Sequence, residues 1–128
     1  MKNNSLYNMQ LIWQMTRGNT EKARKFIRLF VEKTPMTLKE HAAAYYSLDF
    51  PRLRELSHKI RPTFSYYGIN SVVTLLHQIE FLAEKEQLNS ELESKLEQVK
   101  NITAAVIEEM VEEYLATGKH LQNVETTV

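Results

Sequence analysis

The chain has 128 residues, of which 43% are hydrophobic, with 16 basic and 16 acidic side chains and no cysteine. That is enough apolar material for one domain, and it argues against a disulfide framework, a thiol nucleophile and the broad positive face of a nucleic-acid binder. The opening MKNNSLYNMQ has no apolar run and nowhere do about 18 apolar residues follow one another, so no signal peptide or membrane span is expected and the cytoplasm is the default location.

A short first helix is expected over residues 5–17, capped by Ser5, with Leu6, Met9, Ile12, Trp13 and Thr16 along one face. The turn Arg17-Gly18-Asn19-Thr20 ends in a second cap, and the next helix starts near Glu21 with Phe26, Ile27, Phe30 and Val31 inward. Its pattern resumes beyond Pro35 at Leu38, Ala42 and Tyr45, so either two helices meet at Pro35 or one long helix bends there.

Asp49 is placed to cap a central helix with Pro51 in its first turn. Leu53, Leu56, Ile60, Phe64 and Tyr67 recur at helical spacing and form its buried stripe, and Gly68 ends it. Asn70 or Ser71 caps a fourth segment, with Val72, Leu75, Leu76, Ile79 and Leu82 inward, closing near Gln87.

Ser90 and Glu93 have capping-box spacing for a final helix that buries Leu92, Leu96, Val99, Val106, Met110 and Tyr114. Its glutamates at 91, 93, 97, 108, 109, 112 and 113 fall mostly on the solvated side, and Gly118 stops it. No segment alternates with period two. The pattern predicts an all-α fold: an antiparallel up-and-down four-helix bundle with the short N-terminal helix capping one end. One domain spans 1–128, with its core over about residues 5–117 and a frayed tail at 118–128.

On the central helix the buried stripe lies within about 40° of the direction opposite His58, so that imidazole points to solvent. Arg54 and Glu55 stand one turn before it, Arg61 and Pro62 one turn after, and Ser65 two turns after. Residues 52–61 carry Arg52, Arg54, Lys59 and Arg61 against Glu55, in a chain of zero net charge. A lone surface histidine is usually no more than a tolerated polar residue, and charge on a solvated face is common. Spacing alone therefore reaches an anion-handling histidine and stops.

The string LSHKIRPTFSYYGI resembles the signature of histidine phosphotransfer domains, in which the histidine is followed three residues on by Lys or Arg, then by Gly, with a further Gly ten residues after the histidine. His58, Arg61 and Gly68 match, while Pro62 replaces the usual Gly. LLHQIEFLAEK, with Ile79 and Glu80, is similar to the family's following helix, and FIRLFVEKTPMTLKEHAAAYYSLDFPRL to the long helix and turn before it; the likeness covers about residues 5–115.

The resemblance implies a phosphocarrier without kinase activity of its own. His58 accepts a phosphoryl group from a receiver-domain aspartate and passes it to another, and Arg61 offsets the charge. Arg54, Lys59, Pro62, Ser65 and Tyr66 are the expected docking positions. Lys59 reads equally as a solubilising charge, and Tyr66 as a rim aromatic. Glu55 would compete for Arg54. No cofactor is expected, since Mg²⁺ belongs to the receiver, and the protein is expected to be a monomer. His41 and His77 lie on helix flanks and His120 in the tail, and none is assigned a role.

Two other functions compete. Glu55-Leu56-Ser57-His58 has the Glu-x-x-His spacing of di-metal carboxylate bundles, which need two such motifs facing inward. A helical adaptor that docks a receiver or another signalling protein without taking phosphate fits the same helices.

Overall fold

A computed structural model describes residues 6–116, which are helical with no strand among them. The helices are α1 (Gln10–Met15), α2 (Thr20–Tyr46), α3 (Phe50–Tyr66), α4 (Asn70–Ala83) and α5 (Ser90–Met110), and the last continues into π-helical turns over Val111–Ala116. Among the long helices α2 packs on α3 and α5, and α4 packs on α3 and α5, while α1 rests on α2. No helix among the described residues is long and apolar enough to cross a membrane.

The first helix is shorter than expected. Leu6 to Met9 are not helical, and the expected cap Ser5 lies outside the described residues. Tertiary bonding outcompetes the helical pattern here: the Asn8 amide donates to the Tyr67 carbonyl at 2.9 Å, and Asn8 Oδ1 accepts from the Gln10 amide at 2.7 Å. The segment is a strap whose Tyr7 and Met9 are buried. Tyr7 also donates its hydroxyl to Glu113 in the π-helical turns, where a glutamate expected to face solvent is drawn in.

α2 is one helix through Pro35, capped by Asn19, whose side chain accepts from the Lys22 amide. Its buried line runs through Ala23, Ile27, Phe30, Thr34, His41, Ala44 and Tyr45, leaving Phe26, Val31, Leu38 and Ala42 only half-buried. His41 is therefore interior, not on a flank. Burial is tolerated because Ser57 of α3 places its hydroxyl 2.6 Å from His41 Nε2, and a buried polar atom with a partner escapes most of the desolvation cost.

The central helix follows the sequence closely. Asp49 accepts from the Arg52 amide, and Leu53, Leu56, Ile60, Phe64 and Tyr67 are all buried. Phe64 meets Phe30 of α2 edge to face at 5.6 Å, and the Tyr67 hydroxyl donates to the Phe26 carbonyl at 2.6 Å. Each such buried side chain contributes on the order of 1.5–3 kcal/mol by area, and together they fix the rotation of α3 about its axis.

Three caps differ from expectation, the first being that of α2, where Asn19 serves and Thr20 is already helical. α4 starts after Ile69 with no side-chain cap, so neither Asn70 nor Ser71 serves, and it closes at Ala83 instead of Gln87. α5 is capped by Asn89, which accepts from the Glu91 and Leu92 amides, and Ser90 is the first helical residue. Asn89 takes the extended conformation a cap requires and is held there by Tyr45, whose hydroxyl oxygen accepts its amide at 3.2 Å. Glu93 is released from a capping box and accepts from the Tyr45 hydroxyl. Gly118, His120 and the expected tail lie outside the described residues.

Candidate functional site

Because the stripe on α3 is buried, its opposite face is presented to solvent. The His58 side chain is 71% exposed there, with Lys59, Pro62, Ser65 and Tyr66 also exposed and Arg54 half-buried. α3 runs through Pro62 unbroken, although that residue lacks the N–H that would bond to the His58 carbonyl.

The charge around His58 is not arranged as helical spacing suggests. Arg61 Nη2 lies 3.1 Å from His58 Nδ1, its Nη1 lies 3.3 Å from His77 Nδ1, and its Nε lies 2.7 Å from Glu80 Oε2. Glu80 Oε1 is in turn 3.3 Å from His58 Nδ1. Two residues of α4, Glu80 and His77, thus complete a cluster that begins on α3. No ion pair joins Arg54 to Glu55, and neither Arg54 nor Lys59 has a salt-bridge partner among the described residues.

Nδ1 of His58 faces this cluster, while Nε2 makes no hydrogen bond among the described residues. Arg61 therefore rests on the inner edge of the ring. Nε2 is the ring edge without a hydrogen-bond partner among the described residues.

Two shallow surfaces meet at His58. On the side toward the start of α3 it borders Asp49, Pro51, Arg52, Arg54, Glu55 and Glu80, a charged floor. On the other side Pro62, Ser65 and Tyr66 join Leu11 of α1 and Val73 of α4 in a more apolar one. The structure gathers Arg54, Pro62, Ser65 and Tyr66 around His58, whereas Lys59 borders neither surface. Among the described residues no three His, Asp or Glu side chains are grouped as metal ligands.

The partners on α4 had a signal in the chain. α3 and α4 meet about Ile69, so residues equidistant from it face one another: His58 and Glu80 are each eleven positions away, Arg61 and His77 each eight. Periodicity within one helix carries no information of that kind.

The Arg61–Glu80 pair also changes an expected stability. The two side chains are only 27% and 18% exposed, and Arg61 Nε and Glu80 Oε2 are both shielded from water. Read as a solvent-face substitution, Arg61→Ala should cost under about 0.5 kcal/mol. With the pair between the exposed and buried extremes, the expected cost is about 1–2 kcal/mol, because Glu80 loses its counter-charge. Urea midpoints of Arg61→Ala, Glu80→Gln and the double variant would show it, the double variant costing less than the sum of the two.

Comparisons with protein-family models, curated proteins and solved structures find no match to this chain.

Proposed function

We propose that the protein is a histidine phosphotransfer domain: a phosphorelay intermediate that accepts a phosphoryl group on His58 from the aspartyl phosphate of a receiver domain and hands it to another receiver. The observation that carries this reading is a solvent-facing imidazole whose inner nitrogen is flanked by a guanidinium and a carboxylate and whose outer nitrogen is unbonded among the described residues. In this reading α2 to α5 form the antiparallel up-and-down four-helix bundle, α1 closes one end, and the protein is a cytoplasmic monomer.

Chemically, the Nε2 lone pair forms a bond to phosphorus while the acyl phosphate P–O bond breaks and the receiver's carboxylate departs with the electron pair. Once Arg61 has turned from Nδ1 to the phosphoryl oxygens, Glu80, 3.3 Å from Nδ1, can accept from Nδ1–H. That favours the tautomer with its lone pair on Nε2, as a carboxylate behind a reacting histidine does generally. Arg61, one turn along the helix from His58, would offset the charge on the transferred oxygens. Arg54, Pro62, Ser65 and Tyr66 would meet the receiver, which brings its own Mg²⁺. Pro62 keeps the approach low, since it carries no long side chain.

Incubation with a phosphorylated receiver tests this. The wild type should acquire acid-labile, base-stable label, and His58→Gln should lose it completely while still binding the receiver. Binding without label on the wild type would instead establish an adaptor, and label retained by His58→Gln would move the acceptor elsewhere.

A further inference from the structure

Nδ1 of His58 has two neighbours that require opposite protonation. Arg61 Nη2, at 3.1 Å, is a donor and bonds only to a bare Nδ1, which puts the ring proton on Nε2. Glu80 Oε1, at 3.3 Å, is an acceptor and needs Nδ1–H, which bares Nε2. Only the second tautomer is a nucleophile on the outward edge.

How firmly Arg61 occupies Nδ1 depends on what holds its guanidinium. The group is planar with its donors in a fixed fork, so a hydrogen bond at one nitrogen directs the others. Nη1 is held by a hydrogen bond to His77 Nδ1 at 3.3 Å, while Nε meets the Glu80 carboxylate at 2.7 Å by charge without a hydrogen bond. The His77 contact is therefore what aims Nη2 at His58. His77 also lines a shallow surface with Phe81, Lys85, Glu91 and Lys95. Its one hydrogen bond to a side chain among the described residues is to Arg61.

We propose that His77 is a positioning residue that, through Arg61, holds His58 in the silent Nε2–H tautomer until an anionic group delivered by a partner draws the guanidinium away. The proposal rests on His58 as the phosphoacceptor. Once Arg61 turns to the incoming phosphoryl oxygens, Nδ1 loses its donor. The ring then releases a proton from Nε2 to water and takes one up at Nδ1, facing Glu80, with no net change. Attack follows from a lone pair that was absent at rest, so the group to be transferred also switches on its acceptor.

The test compares wild type, His77→Ala and His77→Gln, whose amide oxygen still accepts from Nη1. Imidazole ¹⁵N shifts of His58, recorded at alkaline pH where imidazoles are neutral, report the tautomer directly. The wild type should be mainly Nε2–H, His77→Ala should move toward Nδ1–H, and His77→Gln should return to the wild-type pattern.

Phosphoramidate, a small donor whose P–N bond breaks with loss of ammonia as Nε2–P forms, gives the rate without any partner protein. His77→Ala should label His58 several-fold to about ten-fold faster than wild type, the size expected of one solvent-exposed hydrogen bond from a charged donor. Unchanged ¹⁵N shifts in His77→Ala would overturn the proposal even where receivers label His58 normally. A tautomer that responds in a protein no receiver labels would uphold the positioning of His58 by His77 through Arg61 and overturn the phosphorelay reading, and with it the release by a delivered phosphoryl group.

Discussion

Gly68→Ala is expected to lower the stability of the fold by about 3 kcal/mol, through two separate costs at one position. Gly68 has φ +64°, in the left-handed region where a Cβ is penalised by roughly 1–2 kcal/mol. A Cβ added there would also lie 2.6 Å from Asn8 Cβ and 2.8 Å from the Asn8 backbone nitrogen and oxygen. Most of those atoms belong to a backbone pinned by its bond to the Tyr67 carbonyl, so relief requires the strap to lift, and overpacking of that sort costs about 1–3 kcal/mol. Gly18 is the control: its φ is +75° but nothing lies within 4 Å of the place a methyl group would take, so Gly18→Ala should cost only the conformational share. Urea denaturation of the two variants separates the costs, and equal midpoints would show that the strap yields freely.

Acid is expected to weaken the protein through His41. Burial without a counter-charge lowers its pKa from 6.5 to about 4, and its one side-chain partner among the described residues is the neutral hydroxyl of Ser57. The unfolded chain therefore binds this proton before the folded one does. Stability from the neutral ring is complete above pH 6.5 and is lost as the pH falls toward 4. Linkage puts the loss at about 2 kcal/mol by pH 5 and about 3 kcal/mol once both states are protonated. Other groups titrate over part of this range, so the measurement is a difference. Between about pH 8 and pH 5, urea midpoints should fall further for wild type than for His41→Gln, whose amide can still meet Ser57 but does not ionise. Parallel falls in the two proteins would show that His41 is not the source.

What the chain discloses about itself follows from the range of each interaction. Asp49, Pro51 and the stripe from Leu53 to Tyr67 act within one helix, and the structure has them as spacing requires. The continuity of α2 through Pro35 is open on spacing alone, because packing by Phe30 and Tyr45 on either side decides it. A cap falls one residue from its expected place where two competent side chains adjoin, as at Asn89 and Ser90, since the deciding contact comes from Tyr45. His41 departs from expectation for the same reason: a polar residue in an apolar line reads as surface until its partner, sixteen residues away, is known. At the candidate site, exposure of His58 is legible within α3. The contacts of Glu80 and His77 belong to the packing of α3 on α4.

The strap carries a mechanical implication. Ahead of α1 the chain is fastened at Tyr7 to Glu113 and at Asn8 to Tyr67, the residue that closes α3. Tyr7 and Asn8 thus tie the π-helical end of α5 to the end of α3 through two neighbouring residues. Through Tyr67 the strap therefore bears on the C-terminal end of the helix that carries His58.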